Sequence, residues 1–150
     1  MGYWPCAILG GMSEVLSENE VVRIGWEPEL GAVHVQWLAP TGGEPLRRPL
    51  WEALEAMAAR GASKWLSDMR LLGMLTRADE QWLSETLFPR AVELGLRYLA
   101  IVNPESSRSQ VSLRELFSAE PAQALLESDQ LVKSAFESVA EARHWLASVE

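Results

Sequence analysis

Arg97-Tyr98-Leu99-Ala100-Ile101-Val102-Asn103-Pro104 is the stretch that decides the fold. Its centre, Tyr98–Val102, is an unbroken apolar run closed by an Asn-Pro turn. A strand with one wet face would alternate apolar and polar residues. A short continuous run reads instead as a strand covered on both faces, central in a parallel sheet. Parallel neighbours need a long crossover, usually a helix, and both flanks supply one.

Working upstream, Lys64–Met69 (KWLSDM) reads as a second buried strand. Between the two, Thr76 offers an N-cap, and Asp79 and Glu80 load the first turn with the negative charge a helix dipole favours. Trp82, Leu83, Leu87 and Val92 supply a buried stripe as far as about Leu94, and Pro89 inside it predicts a kink or a break. Downstream, Ser112 and Glu115 fit a capping box for VSLRELFSA. Pro121 ends that helix or starts a second piece through Gln123–Glu127. Leu131–Glu137 reads as the last strand, and Ser138 with Glu141 caps a closing helix with Val139, Ala142, Trp145 and Leu146 on its apolar face.

The earlier third of the chain reads differently. Val21–Trp26 is β-branched, and Ala32–Leu38 alternates, with Val33, Val35 and Trp37 on one face and His34 and Gln36 on the other. The turn residues Pro28 to Gly31 join them as an antiparallel hairpin. A turn-rich segment from Pro40 to Pro45 follows. Pro49 suits a first helical turn, Leu50, Leu54, Met57 and Ala58 give a helical stripe, and Gly61 is placed as a C-cap. The order β-β-α-β-α-β-α-β-α predicts an α/β fold: a mixed, mostly parallel sheet of about five strands with an antiparallel N-terminal hairpin and about four helices. The first strand is the antiparallel exception, at an edge. No internal repeat or linker interrupts it, so residues 20–150 read as one domain and residues 1–19 as an N-terminal extension. Residues 1–11, MGYWPCAILGG, are apolar without a folding period and lack the basic start and cleavage site of a secretory signal. They read as a loose tail or as sequence ahead of a start at Met12.

Composition narrows the function classes. A chain of 150 residues with 48% apolar and 23% charged content is ordinary for one globular domain. A single cysteine, Cys6, allows no internal disulfide and fits a reducing, cytoplasmic setting. A net charge of −8 sets the chain against phosphate backbones and anionic membrane surfaces. The one adjacent basic pair, Arg47-Arg48 ahead of Pro49, reads as a solvated start of a helix. No apolar stretch has the length of a membrane span. Neither a nucleic acid nor a membrane is an expected partner.

KWLSDMRLLGML, followed by ADEQWLSETLFPRAVELGLRYLAIV and, at the end, FESVAEARHWL, resembles the SpoIIAA-like branch of the STAS fold, the fold of the bacterial anti-sigma-factor antagonists and of sulfate-transporter tails. The resembling features are a strand ending in Asp-x-Arg, an Asp-x-x-Trp near the next helix start, and Pro-Arg-Ala before a glycine and an apolar strand. They cover roughly residues 20–149. The resemblance implies the topology already reached and a regulatory or binding role. In the antagonists, a Ser or Thr two residues after an Asp is the phosphorylation switch. Here the Asp is Asp68 and the matching position is Arg70, a fixed cation opposite in sign to a phosphate. Ser67 and Thr76 are nearby hydroxyls outside the matching place.

Residues able to carry chemistry are few. His34 and His144, the two histidines, have no second ligand at metal spacing and read as ordinary, partly exposed residues. The GxSxG, HExxH, P-loop and GxGxxG motifs are absent. No catalytic residue, metal or cofactor is therefore expected. Asp68 and Arg70, at the end of one central strand, and Asn103, at the end of the other, stand where open α/β sheets hold ligands. The plain alternative is that Asp68 and Arg70 simply pair. Of seven tryptophans, most read as core, but Trp51, Trp65 and Trp82 are candidates to line an apolar pocket or a protein contact. The unusually apolar loop Leu71–Leu75 covers either its own core or a partner. Two functions follow: a non-enzymatic module acting on a protein partner or through self-association, or a carrier of a small apolar ligand held near that loop.

Overall fold

One mixed sheet of six strands, in the order of the sequence, organises the described residues. The computed structural model describes residues 14–149. β1 (Glu14–Glu18), β2 (Val22–Glu27) and β3 (Ala32–Trp37) form an antiparallel meander, and β4 (Lys64–Asp68), β5 (Tyr98–Val102) and β6 (Val132–Phe136) continue it in parallel. The two central strands lie where the apolar runs place them, with Trp65 level with Leu99 and Asp68 level with Val102.

Sequential parallel strands with right-handed crossovers carry all their connecting helices on one face. Here these are α1 (Glu44–Ala59), α2 (Arg77–Trp82), α3 (Phe88–Glu93), α4 (Ser107–Ser118) and α5 (Ala122–Glu127). Their apolar sides and the odd-numbered residues of β3, β4 and β5 make the main core, around Trp37, Leu54, Met57, Trp65, Ile101 and Leu116. Among the described residues the other face has one helix, α6 (Val139–Ser148), over Leu66, Ala100 and Val102.

Four local features depart from the sequence reading. The sheet starts earlier than residue 20: Glu14–Glu18 is a strand, within the stretch read as an extension. It is mostly exposed and polar, so it has no apolar alternation to reveal it, and a bulge between Val15 and Ser17 breaks its register. The tail of residues 1–11, with Cys6, lies outside the described residues. α1 starts at Glu44, with Pro45 in its first turn and Pro49 inside it. Pro45 already holds the place a helix opens on, and α1 carries Pro49 buried in the core. Ser112 is not a cap. α4 begins six residues sooner, capped by Ser106, whose hydroxyl accepts from Ser109 N–H, while Ser112 is buried mid-helix and accepts from Leu75 N–H at 3.0 Å. His34, finally, is buried rather than partly exposed, because the second face is covered too.

The break at Pro89 takes a specific form. A proline ring crowds the carbonyl four residues back in a regular helix. Between α2 and α3 the residues Leu83–Leu87 widen into a π-helical turn, with Phe88 N–H donating to Leu83 C=O. Pro89 then sits in the first turn of α3, where its missing N–H is no loss.

Candidate functional site

The carboxyl ends of β4 and β5 bring Asp68, Arg70 and Asn103 to one edge of the molecule. Asp68 is buried at the last position of β4. Arg70 folds back on it as a fork: Nε donates to Oδ1 at 2.9 Å, Nη2 to Oδ2 at 2.7 Å, and the Arg70 backbone N–H also reaches Oδ1. The hydrogen bond to Asp68 raises the Arg70 guanidinium above its ordinary value, burial works against it, and the charges of Asp68 and Glu105 add to the rise. The pair is thus a closed clamp that pins the start of the following loop. Asn103 turns the other way, its Nδ2 donating to Glu137 Oε2 at 2.8 Å.

The loop after the clamp is held from both sides. Thr41 N–H donates to Leu72 C=O, Gly73 (φ +87°) lies against Pro40, and Leu75 N–H donates to Ser112 on α4. A glycine is required there because that φ strains any other residue, and a Cβ would sit 3.0 Å from the Pro40 ring. So fixed, the loop divides its side chains. Leu72 and Leu75 enter the core, while Leu71 is 47% and Met74 61% exposed. Val111, beside Ser112 on α4, is exposed as well. Of the five exposed large apolar residues described, two therefore belong to this loop.

The three candidate tryptophans separate. Trp65 is buried in the main core. Trp51 on α1 and Trp82 on α2 face each other across a shallow surface groove, with ring centroids 6.4 Å apart. Arg47 lies over Trp82 and donates from Nε to Asp79 at 3.2 Å, so of the basic pair only Arg48 is left solvated. Asp79 is buried and also accepts from Gly43 N–H, at the start of α1. α2 thus joins the two surfaces, its N-terminus at the exposed loop and its last residue in the groove. The main core itself encloses a cavity of about 40 Å³, lined in part by Trp65, Leu72 and Phe117. That has room for a water-sized group, well below the roughly 150 Å³ that holds a benzene.

Sequence reasoning missed one polar cluster. Glu27 at the end of β2 accepts from Arg143 Nη2 of α6 at 2.7 Å and lies 3.0 Å from His34 Nδ1 on β3. All three side chains are nearly solvent-free, at 0%, 6% and 2% exposure for Glu27, Arg143 and His34. An ionised carboxylate only accepts, so the short contact places a proton on Nδ1. His34 Nε2 is the one buried side-chain polar atom among the described residues with no hydrogen-bond partner. The cluster ties α6 to the antiparallel half of the sheet. Its signal in the sequence was weak: Glu27 and His34 are a hairpin pair, but Arg143 is 116 residues from Glu27. Among the described residues no three His, Cys, Asp or Glu side chains are grouped to hold a metal ion.

In comparisons with known proteins, no family model, no curated protein and no solved structure matches this chain. Among the described residues no helix is long and apolar enough to cross a membrane.

Proposed function

We propose that the chain is a non-enzymatic, cytoplasmic binding or regulatory module of the SpoIIAA-like STAS type, which docks a protein partner at the carboxyl ends of its central strands. The observation that carries this reading is the loop Leu71–Leu75. Leu71 and Met74 are held in solvent by a segment whose backbone is fixed on both sides. Rigid exposed apolar groups make good anchors, because little conformational freedom is lost when they are covered. Arg70, clamped on Asp68, stands beside them in the place the resemblance gives to a regulatory Ser or Thr. Trp51 and Trp82 extend the surface along α2, and aromatic and arginine side chains are the types enriched in such contacts. The small core cavity supports a protein partner over an apolar ligand carried inside.

The test compares capture of partners from a native extract by the wild-type chain and by a Leu71→Asp/Met74→Asp variant. Both positions are exposed, so the variant should keep its circular dichroism and unfolding midpoint. A stoichiometric protein held by the wild type and lost by the variant is expected. Equal capture by both would remove this surface from the account, and a turnover activity abolished by Asp68→Ala or Arg70→Ala would replace the module with an enzyme.

A further inference from the structure

Among the described residues β6 ends the sheet with an unpaired edge. Val132 N–H donates to Arg97 C=O, and Asn103 N–H donates to Phe136 C=O, so Val132, Ser134 and Phe136 turn their backbone groups toward β5. Alternation then points the N–H and C=O groups of Lys133 and Ala135 outward, where no strand meets them among the described residues. The opposite edge of the sheet is blunted. β1 carries a bulge between Val15 and Ser17, a common device against strand addition. β6 has no bulge and no proline, and its most exposed residue is the small Ala135.

We propose that β6 pairs antiparallel with β6 of a second copy of this chain, about a twofold axis near Ala135, joining two sheets into one. Charge selects this occupant. Lys133 lies in β6 and Glu137 one residue past its end, where the Glu137 backbone N–H donates to Glu141 Oε1 and its carboxylate reaches Asn103, a residue that lines the same groove as Lys133. A twofold antiparallel pairing about Ala135 sets Lys133 of each copy beside Glu137 of the other, giving two opposite-charge cross-strand pairs from one sequence. Lys133 makes no ion pair among the described residues. It lies half-buried over the Phe117 ring, 4.5 Å from its centroid, with burial holding its amine below the ordinary value. Glu137 is exposed, and one of its two oxygens bonds Asn103. Room exists on both faces for the side chains of an added strand. A groove of about 180 Å³ lies between β6 and α4, beside Phe117 and Lys133, and an open concavity lined by Phe136, Ala140 and Trp145 lies between β6 and α6. This interface is remote from Leu71 and Met74 and stands or falls independently of the partner surface proposed above.

Sedimentation velocity of the full chain over a concentration series tests it. The wild type is expected to dimerise reversibly. Lys133→Glu and Glu137→Lys each set like charges across the strands and are expected to weaken the dimer by about tenfold or more. The double variant Lys133→Glu/Glu137→Lys restores opposite charges and is expected to recover it. Hydrogen exchange at the Lys133 and Ala135 amides should slow as the dimer fills. A Leu71→Asp/Met74→Asp variant should dimerise like the wild type, which separates this interface from the partner surface. A wild type that stays monomeric throughout, or a dimer indifferent to both single reversals, overturns the proposal.

Discussion

Substituting Asp79 tests how the surface carrying Trp51 and Trp82 is held together. The N-cap of α1 is Gly43, which has no side chain to cap the helix, and Asp79 reaches across from α2 to do so. Its carboxylate accepts from Gly43 N–H at 3.1 Å and from Arg47 Nε at 3.2 Å, while being almost wholly buried. A charge-assisted bond to a backbone amide contributes about 1.5–3 kcal/mol. An anion at a helix N-terminus adds about 0.3–1 kcal/mol. The pair with Arg47, a third of which is exposed, adds at most about 1 kcal/mol. These terms share two oxygens and do not sum fully, so Asp79→Ala is expected to cost about 2–4 kcal/mol. Asp79→Asn keeps the shape and one acceptor but loses the charge, and about 1–2 kcal/mol is expected. Urea unfolding followed by tryptophan fluorescence reads both, and the folded baseline should shift because Arg47 no longer holds its place over Trp82. Gly42→Ala is an independent check, since its added Cβ would sit 2.9 Å from Asp79 Oδ2 and must displace that carboxylate. If both Asp79 variants cost the same and less than about 0.5 kcal/mol, the carboxylate does not hold α1 and the reasoning fails.

Two further outcomes concern charge inside and beside the core. Arg143→Met withdraws the guanidinium from buried Glu27 and is expected to cost about 3–5 kcal/mol. Adding Glu27→Gln should recover at least half of that, because a neutral pair is easier to bury; a single-variant cost under about 1 kcal/mol would show a wet second face. Burial, then the charge of Glu115, raises the Glu80 carboxyl above its ordinary 4.5, with Arg77 opposing. Folded Glu80 therefore holds its proton to higher pH than unfolded Glu80, and its favourable contribution below 4.5 is lost as pH rises through the folded value. Glu80→Gln should stabilise the protein slightly at neutral pH, on the order of 0.5 kcal/mol, and not at all in acid; denaturant midpoints at the two pH values decide it.

The parts of the fold governed by local pattern were readable in advance. Tyr98–Val102 is a strand because nothing polar interrupts its burial, Lys64–Asp68 buries Trp65 and Leu66 ahead of its polar end, and the caps Thr76 and Ser138 lie in sequence beside the amides they bind. What failed was set by distant contacts. His34 alternates with Val33 and Val35 as an outward residue should, yet α6 and Arg143 cover that face from the far end of the chain. Ser112 looks like a cap because Glu115 follows it, but Ser106 lets the helix start a turn and a half sooner, leaving Ser112 to hold the Leu71–Leu75 loop. For the candidate site, the Asp68–Arg70 pair was legible as two neighbours of opposite charge. The separation of Trp65 from Trp51 and Trp82 was not, because all three sit on apolar faces and only the packing shows which face is interior. The exposure of Leu71 and Met74 alternates with burial of Leu72 and Leu75 in a loop that has no period to read.

Native mass spectrometry of the chain purified gently from its own cells is the most direct measure of what it holds. A protein assembly of fixed stoichiometry, with each copy of the chain at its sequence mass, is the predicted spectrum. A lone chain heavier by one small molecule, released on mild activation, would contradict it and make the protein a carrier.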